Sequence, residues 1–477
     1  MDRKSQYKHK ADDVQKIRDR TRNEDVALRK EKKEKALNAK RFRFITEEEA
    51  GAEVTQDEVR NATAGLQKPG PHRLENLKSL KHAFSQGTVY IDAFFSIDNS
   101  LRWLVSLFTG QDVELQQEAA WCITNISAGT HQHAVAIAKY VAPYLVTYLS
   151  SSVPVIQDQS AWALGNLAGD SKESCTMIQA QGVVLPLVQL LQSPHPSVVQ
   201  SASFALSNMA KESQDIAREI VLAKALPLLQ SLLVNTPENQ GILTEVSWVL
   251  SYLAASGEFS EEMAGLGMLT QIVDILVQLV STNPHIAQIV TPLLRCLGNM
   301  CSGPDEYTQM ACVNPALLQT LAAYLASSHR HIRKETLWVL SNMAGEPHTC
   351  HTMIFGPLLP VVLDQVAGAY DIKMEALYVL CNIACHGEEF SLQLLTNGIL
   401  QKLAPVLKAH DVEILNLGLA LTELILRNTD EIFCVKGKKV LEECGGLDGL
   451  EALEYHNNLQ LRERACNLLE TYFYLES

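Results

Sequence analysis

Apolar residues recur along this chain at spacings of three and four, as among Trp162, Leu164, Leu167 and Ala168, which puts them on one stripe of a helix. Alternation with period two does not persist anywhere, so strands are not expected. A cluster of Gly, Asp or Ser usually follows each helical window and ends it. A second apolar run lies upstream of each window, for example VVLPLVQLLQS before Pro194. Pro194, Pro227, Pro284 and Pro360 punctuate connections or open helices, and HRHIR (329–333) reads as an inter-helix turn. The pattern predicts an all-α chain of short helices.

The helical windows repeat. EAAWCITNISAGT, QSAWALGNLAGDS, SASFALSNMA, EVSWVLSYLA, PLLRCLGNMCSGPD, ETLWVLSNMAGE and EALYVLCNIACHG align on residues 121, 162, 204, 248, 295, 338 and 378. The intervals are 41, 42, 44, 47, 43 and 40 residues. A period in that range marks armadillo or HEAT units, each of which buries its apolar face only by stacking on neighbours. Roughly nine or ten units are expected over residues 71–477, with the first and last lacking the anchor pair. Residues 45–70 are acidic, then rich in Gly and Pro, and read as a flexible linker.

A second periodicity sits inside the first. Asn occupies one phase at 125, 166, 208, 299, 342 and 382, four residues after Trp121, Trp162, Phe204, Arg295, Trp338 and Tyr378. Residues four apart share a helix face. Asn is a poor helix former, so packing alone would favour Leu or Ala there. A lone Trp is ordinarily core, and a lone Asn can cap a helix or bridge to the next repeat. A ladder of such pairs suits a different task. Asn can pair with both the N–H and the C=O of a foreign backbone. Indole faces leave slots for long cationic side chains, worth about 0.5–2 kcal/mol each. Asp170 and Glu245, Glu335 and Glu375 stand at the slot ends. The fourth pair is Trp248 with Tyr252. Arg295 in an aromatic slot should repel a cation and divide the ladder into two patches, which suggests bipartite peptides.

Charge sharpens this picture. Residues 1–43 hold sixteen Lys or Arg against eight Asp or Glu, a net of +8; with the chain at −14, the remainder carries −22. An acidic body attracts cationic partners and disfavours direct nucleic-acid binding. Tethering places the basic arm at high effective concentration near the body. Eleven scattered cysteines without a Cys-x-x-Cys pair read as free, mostly buried thiols in a reducing compartment. No phosphate loop, nucleophile motif or metal-spaced set appears, so neither enzyme activity nor a metal or other cofactor is expected. No run approaches the ~18 apolar residues of a membrane span, and the charged start is unlike a signal peptide.

The ladder resembles that of the importin-α family, including Tyr252, Arg295 and the GNxxxGxD run ending at Asp305. LEECGGLDGLEALEYHNN (441–458) resembles the family's last repeat, and YKHKADD, RDRTR, LRKEKKEK and KRFR resemble its importin-β-binding segment. The resemblance implies a right-handed superhelical armadillo solenoid at 71–477, a basic arm at 1–44 and a linker at 45–70. It implies a nuclear import adaptor, cytoplasmic and nuclear, that binds importin-β and cargo with lysine-rich signals. A major peptide site would comprise Trp121, Asn125, Gly129, Gln159, Trp162, Asn166, Asp170, Phe204, Asn208 and Trp248. A minor site would comprise Arg295, Asn299, Asp305, Glu335, Trp338, Asn342, Glu375, Tyr378 and Asn382. Importin-β would be held by Arg18, Arg20, Arg22, Leu28, Arg29, Lys30, Lys32 and Lys33. Lys40, Arg41, Phe42 and Arg43 would mimic a signal in the major site.

Departures are expected to matter. Phe204 and Tyr378 replace Trp and should grip lysine less well. Ala134 removes a hydroxyl beside Asp170. Phe42 interrupts the basic run and is expected to weaken the mimicry. The family's acidic C-terminal extension is largely absent, which puts export-factor recycling in doubt. These features, with YLVTYLSS (144–151) and LLRCLGN, also resemble a divergent branch named transmembrane and coiled-coil domain-containing protein six. The alternative reading is a dedicated scaffold or chaperone for one basic protein.

Overall fold

Proline and small polar residues set where the helices begin. Pro154 and Pro196 occupy first helical positions, where a missing N–H costs nothing. Asp112, Ser171 and Ser213 accept backbone N–H groups of the turns they cap. In the computed structural model the described residues are 40–44, 54–282, 287–429 and 431–474. Every regular element among them is helical, and none is a strand.

The repeat is a three-helix unit: two short helices, then a long one. Lys172–Gln179, Val184–Leu190 and Pro196–Glu212 form one such unit, and Pro347–Phe355, Leu358–Gln365 and Tyr370–Ala384 another. The corner between the two short helices often needs a left-handed residue. Gly182, Gly267, Gly398 and Gly445 supply it at φ between 72° and 81°, and Lys224 adopts it at φ 65°. One unit dispenses with the corner: His131–Tyr148 runs as a single helix with Pro143 inside it.

The chain divides into two compact units. In the first, Lys32–Phe259, the long helices Val113–Ala128, Pro154–Ala168, Pro196–Glu212 and Gln240–Ala254 pack in series. In the second, within Ser260–Ser477, Ala287–Cys301, Arg330–Met343, Tyr370–Ala384, Val412–Asn428 and Leu459–Tyr472 do the same. The anchored helices are therefore consecutive within each unit, and each buries apolar residues such as Ile123, Leu164, Leu206 and Leu340 completely.

Two expectations need correction. The linker at 45–70 contains a helix, Gln56–Gly65, packed on His72–Gln86. Thr55 and Glu58 form a reciprocal capping box, and Val59, Ala62 and Leu66 are buried. HRHIR is not a turn: His329 immediately precedes a helix that starts at Arg330, and Ile332 is buried. All eleven cysteines are free; six are buried and Cys385 is exposed. Burial pushes the Cys175, Cys301 and Cys350 thiols up to about 12, which removes the reactive thiolate. Among the described residues no helix is long and apolar enough to cross a membrane, and no group of His, Cys, Asp and Glu is arranged to hold a metal.

Candidate functional site

Asparagine amides make the connections between repeats. Asn166 Nδ2 donates to the Thr124 carbonyl at 3.1 Å and Asn208 Nδ2 to that of Gly165 at 2.9 Å. In the second unit Asn342 reaches the Gly298 carbonyl at 2.9 Å and Asn382 that of Ser341 at 2.7 Å. Each amide thus ties its helix to the preceding one, and a primary amide has the donors and acceptor for more than that one bond. Two glycines make room for the next aromatic. A Cβ on Gly165 would lie 2.6 Å from the Phe204 ring, and one on Gly298 would lie 2.5 Å from Trp338.

In the first unit the amides of Asn166 and Asn125 meet residues 40–44. Asn166 Oδ1 accepts from Arg41 N at 2.8 Å, while Asn166 Nδ2 and Trp162 Nε1 donate to the Arg41 carbonyl at 3.1 and 3.0 Å. Asn125 clasps Arg43 likewise, at 2.8 Å to its N–H and 3.1 Å to its carbonyl. The later arm residue meets the earlier repeat, so the arm runs antiparallel to the order of the repeats.

Side chains fill the slots between. Lys40 Nζ donates to the Gly129 carbonyl at 2.6 Å and Asp170 Oδ1 at 2.7 Å. The Arg41 guanidinium lies 4.8 Å from the Phe204 ring centre and pairs with Glu245. The Arg43 guanidinium lies 4.7 Å from Trp162 and 5.6 Å from Trp121, and pairs with Asp158 at 2.8 Å. Burial pushes the Glu245 carboxyl above the usual carboxylate range, and Arg41 pulls it part of the way back.

Phe42 does not break this pattern. The two asparagines clasp alternate residues, 41 and 43, and Phe42 falls in the other phase of a chain held that way. The interruption expected to weaken the mimicry occupies the position at which this row makes no backbone clasp.

Phe204 is fully buried, packed on Gly165 and tilted against Trp162 at 5.1 Å, so it is a packing residue as well as a slot wall. Gln159 is buried too, and its carbonyl accepts from Thr124 Oγ1 at 3.1 Å. Trp248 stacks on Tyr252 at 5.8 Å. Ala134 is buried, and the other donors to Asp170 are His131 Nδ1 at 2.7 Å and Ser174 Oγ at 3.4 Å. Three groups were not anticipated. Asp158 stands four residues before Trp162, an acid one turn from an anchor like Glu245, so its spacing carried a signal. Lys81 Nζ lies 4.8 Å from the Trp121 ring centre, paired with Glu118 at 3.1 Å. His131 opens the helix after Gly129.

In the second unit Arg295 pairs with buried Glu335 at 3.2 Å, which places a resident guanidinium in that row. Tyr378 Oη donates to Glu413 at 3.2 Å, tying it to the next repeat. Glu375 is buried. Asp305 is the exposed first residue of Asp305–Ala311. Arg18, Arg20, Arg22, Leu28, Arg29, Lys30, Lys32 and Lys33 lie outside the described residues.

Comparison with known proteins agrees with this architecture. A family model described as TMCO6 matches residues 59–473, and one described as importin beta binding domain matches residues 3–84. Importin subunit alpha-9 of Arabidopsis thaliana is 30% identical over 387 residues, 76% of this chain and 72% of that protein. Importin subunit alpha-2 of Oryza sativa subsp. japonica is 27% identical over 499 residues, 95% of this chain and 92% of that protein. A crystal structure of an engineered protein from the Northeast Structural Genomics Consortium superposes with a TM-score of 0.75 at 24% identity, covering 87% of this chain and 98% of that one.

Proposed function

This chain belongs to the importin-α family, in its divergent TMCO6 branch, and from that premise we propose that it is a nuclear import adaptor whose first ladder binds basic peptides in extended form. The observation that carries the reading is the clasp of Asn125 and Asn166 on alternate backbone units of residues 40–44, with a cation in each slot between. Backbone clasping holds any sequence, and the acidic and aromatic slots select charge. The arm serves as an internal competitor for cargo and, through Arg18 to Lys33, as the importin-β ligand. When importin-β takes the arm, the ladder opens to cargo, so one event couples carrier binding to cargo loading.

The test is binding of a labelled peptide with the sequence of residues 38–44. The recipient is the full chain carrying Lys40→Ala, Arg41→Ala and Arg43→Ala, which vacates the row. Adding Trp162→Ala with Asn166→Ala is expected to weaken binding by a hundredfold or more, because one clasp and one slot wall are lost together. Equal affinity in both chains would remove the ladder from the function. A pull-down from cell extract separates adaptor from dedicated scaffold: importin-β with many nuclear proteins supports the former, a single basic partner the latter.

A further inference from the structure

Lys81 stands 40 residues before Trp121, in the phase that the anchors keep along the chain, and Ser85 stands where later repeats carry Asn. Both lie on His72–Gln86, the helix packed against Val113–Ala128. The Lys81 ammonium meets the Trp121 ring at 4.8 Å and pairs with Glu118 at 3.1 Å, and its side chain is only 11% exposed. Glu118 precedes Trp121 by three residues, as Glu245 precedes Trp248. Glu245 takes Arg41 from the arm, whereas Glu118 takes a cation that belongs to the repeat itself. Within the second unit Arg295 and Glu335 repeat the arrangement: a cation in the anchor phase holds the acid three residues before the next anchor.

This bears on where a guest peptide stops. Asn166 clasps residue 41 and Asn125 residue 43, so each step of two residues moves the guest back by one repeat. The next step leads from Val113–Ala128 to His72–Gln86, where neither contact of the row is on offer. Ser85 has one hydroxyl proton, and it is spent on the His82 carbonyl at 2.7 Å. The acid of that slot already holds an ammonium. A second cation there would share one carboxylate and one ring with Lys81 and be repelled by it. The indole N–H of Trp121 is buried without a partner among the described residues, whereas that of Trp162 donates to the Arg41 carbonyl. The grip on the arm thus fades at Trp121.

We propose that Lys81 is a specificity-determining residue: it fills the slot between the first two long helices from within, so the first ladder takes cations at positions 41 and 43 of a guest and rejects a third at 45. The inference rests on the peptide-binding reading above. The chain's own sequence has Ile at 45.

The test compares two labelled peptides, residues 38–46 and the same segment with Ile45→Lys. Both are titrated into the full chain carrying Lys40→Ala, Arg41→Ala and Arg43→Ala. In this parent the added lysine is expected to change affinity by no more than about twofold. Adding Lys81→Met, which keeps the stem and removes the charge, frees Glu118 and the ring. The Ile45→Lys peptide is then expected to bind about tenfold more tightly than the other. Lys81→Arg is expected to restore the indifference of the parent. Lys81→Gln, with the same expected gain as Lys81→Met, carries the test if the methionine variant fails to fold. A tenfold gain already present in the parent, or none in either neutral variant while the Ile45 peptide still binds, overturns the role of Lys81 and leaves the ladder intact. Failure of both peptides to bind the parent overturns the ladder and this inference with it.

Discussion

Glu245 carries opposed demands. It is buried, and burial holds its carboxyl above the usual range despite Arg41. The folded chain therefore keeps a proton there more readily than the unfolded chain. The associated stability is present at acidic pH and is lost as pH rises through the raised value. Peptide docking has the other sign. With Arg41 gone the proton is held still more tightly, so docking must expel it. Affinity for a basic peptide should fall as pH falls, starting above the ordinary carboxylate range, and titrations at stepped pH would read this. Glu245→Gln should thus raise the thermal midpoint while weakening the peptide. Arg41 is 39% exposed, so the loss should sit near tenfold, not at the larger values of a fully desolvated pair. A variant that loses stability and keeps affinity would contradict this. The sequence made the anchors legible because Asn stood in phase where packing would choose Leu. It left open whether those amides bridge repeats or grip a guest. Asn166 does both, since one amide has enough donors and acceptors for two tasks. His131 and Lys81 stayed hidden because their partners, Asp170 and Trp121, are about forty residues away along the chain.

Helix boundaries are where element-level reasoning gains or loses. The helix at Gln56–Gly65 lacks large apolar residues apart from Val59 and the adjoining Leu66, so composition reads it as linker, yet its capping box was visible as Thr55 and Glu58. The left-handed corner between the short helices is a recurring element, filled by Gly in several repeats and by Lys224 in one. A non-glycine residue there bears strain of about 1 kcal/mol. Lys224→Gly is expected to stabilise the chain by up to that amount in chemical denaturation, although Gly also loosens the unfolded chain. Gly182→Ala, the reverse change at the equivalent corner, should destabilise by about 1 kcal/mol or more. At the ladder, Gly165→Ala would drive a methyl group into Phe204 and push the ring from its slot. Its peptide affinity should fall more than its stability, which separates it from the corner variants, where only stability moves.

Across the molecule the unequal charge distribution becomes a competition between an attached and a free ligand. The +8 of residues 1–43 and the −22 of the remainder attract at long range, and residues 40–44 occupy the row within their own compact unit. A tethered segment on a short connection acts at an effective concentration on the order of 1 mM. Against an intrinsic peptide Kd of about 10 μM, that competitor weakens a free peptide about a hundredfold. Removing the competitor with Lys40→Ala, Arg41→Ala and Arg43→Ala should recover most of the hundredfold in a direct titration. Phe42→Ala, at the unclasped position, should recover much less. The two variants distinguish a cation-driven clasp from general stickiness of the arm, because only the former depends on which phase of the segment is altered. Salt adds a second axis. Rising ionic strength screens the long-range attraction of arm to body and the approach of a free basic peptide alike. The affinity of the intact chain should therefore change little with salt, because arm and free peptide weaken together, while the fold recovery on neutralising the arm should shrink in step with the affinity of the neutralised chain. If the intact chain and the neutralised chain bound free peptide equally at every salt concentration, residues 40–44 would be a spectator on the ladder, and control of cargo would have to reside elsewhere in the chain.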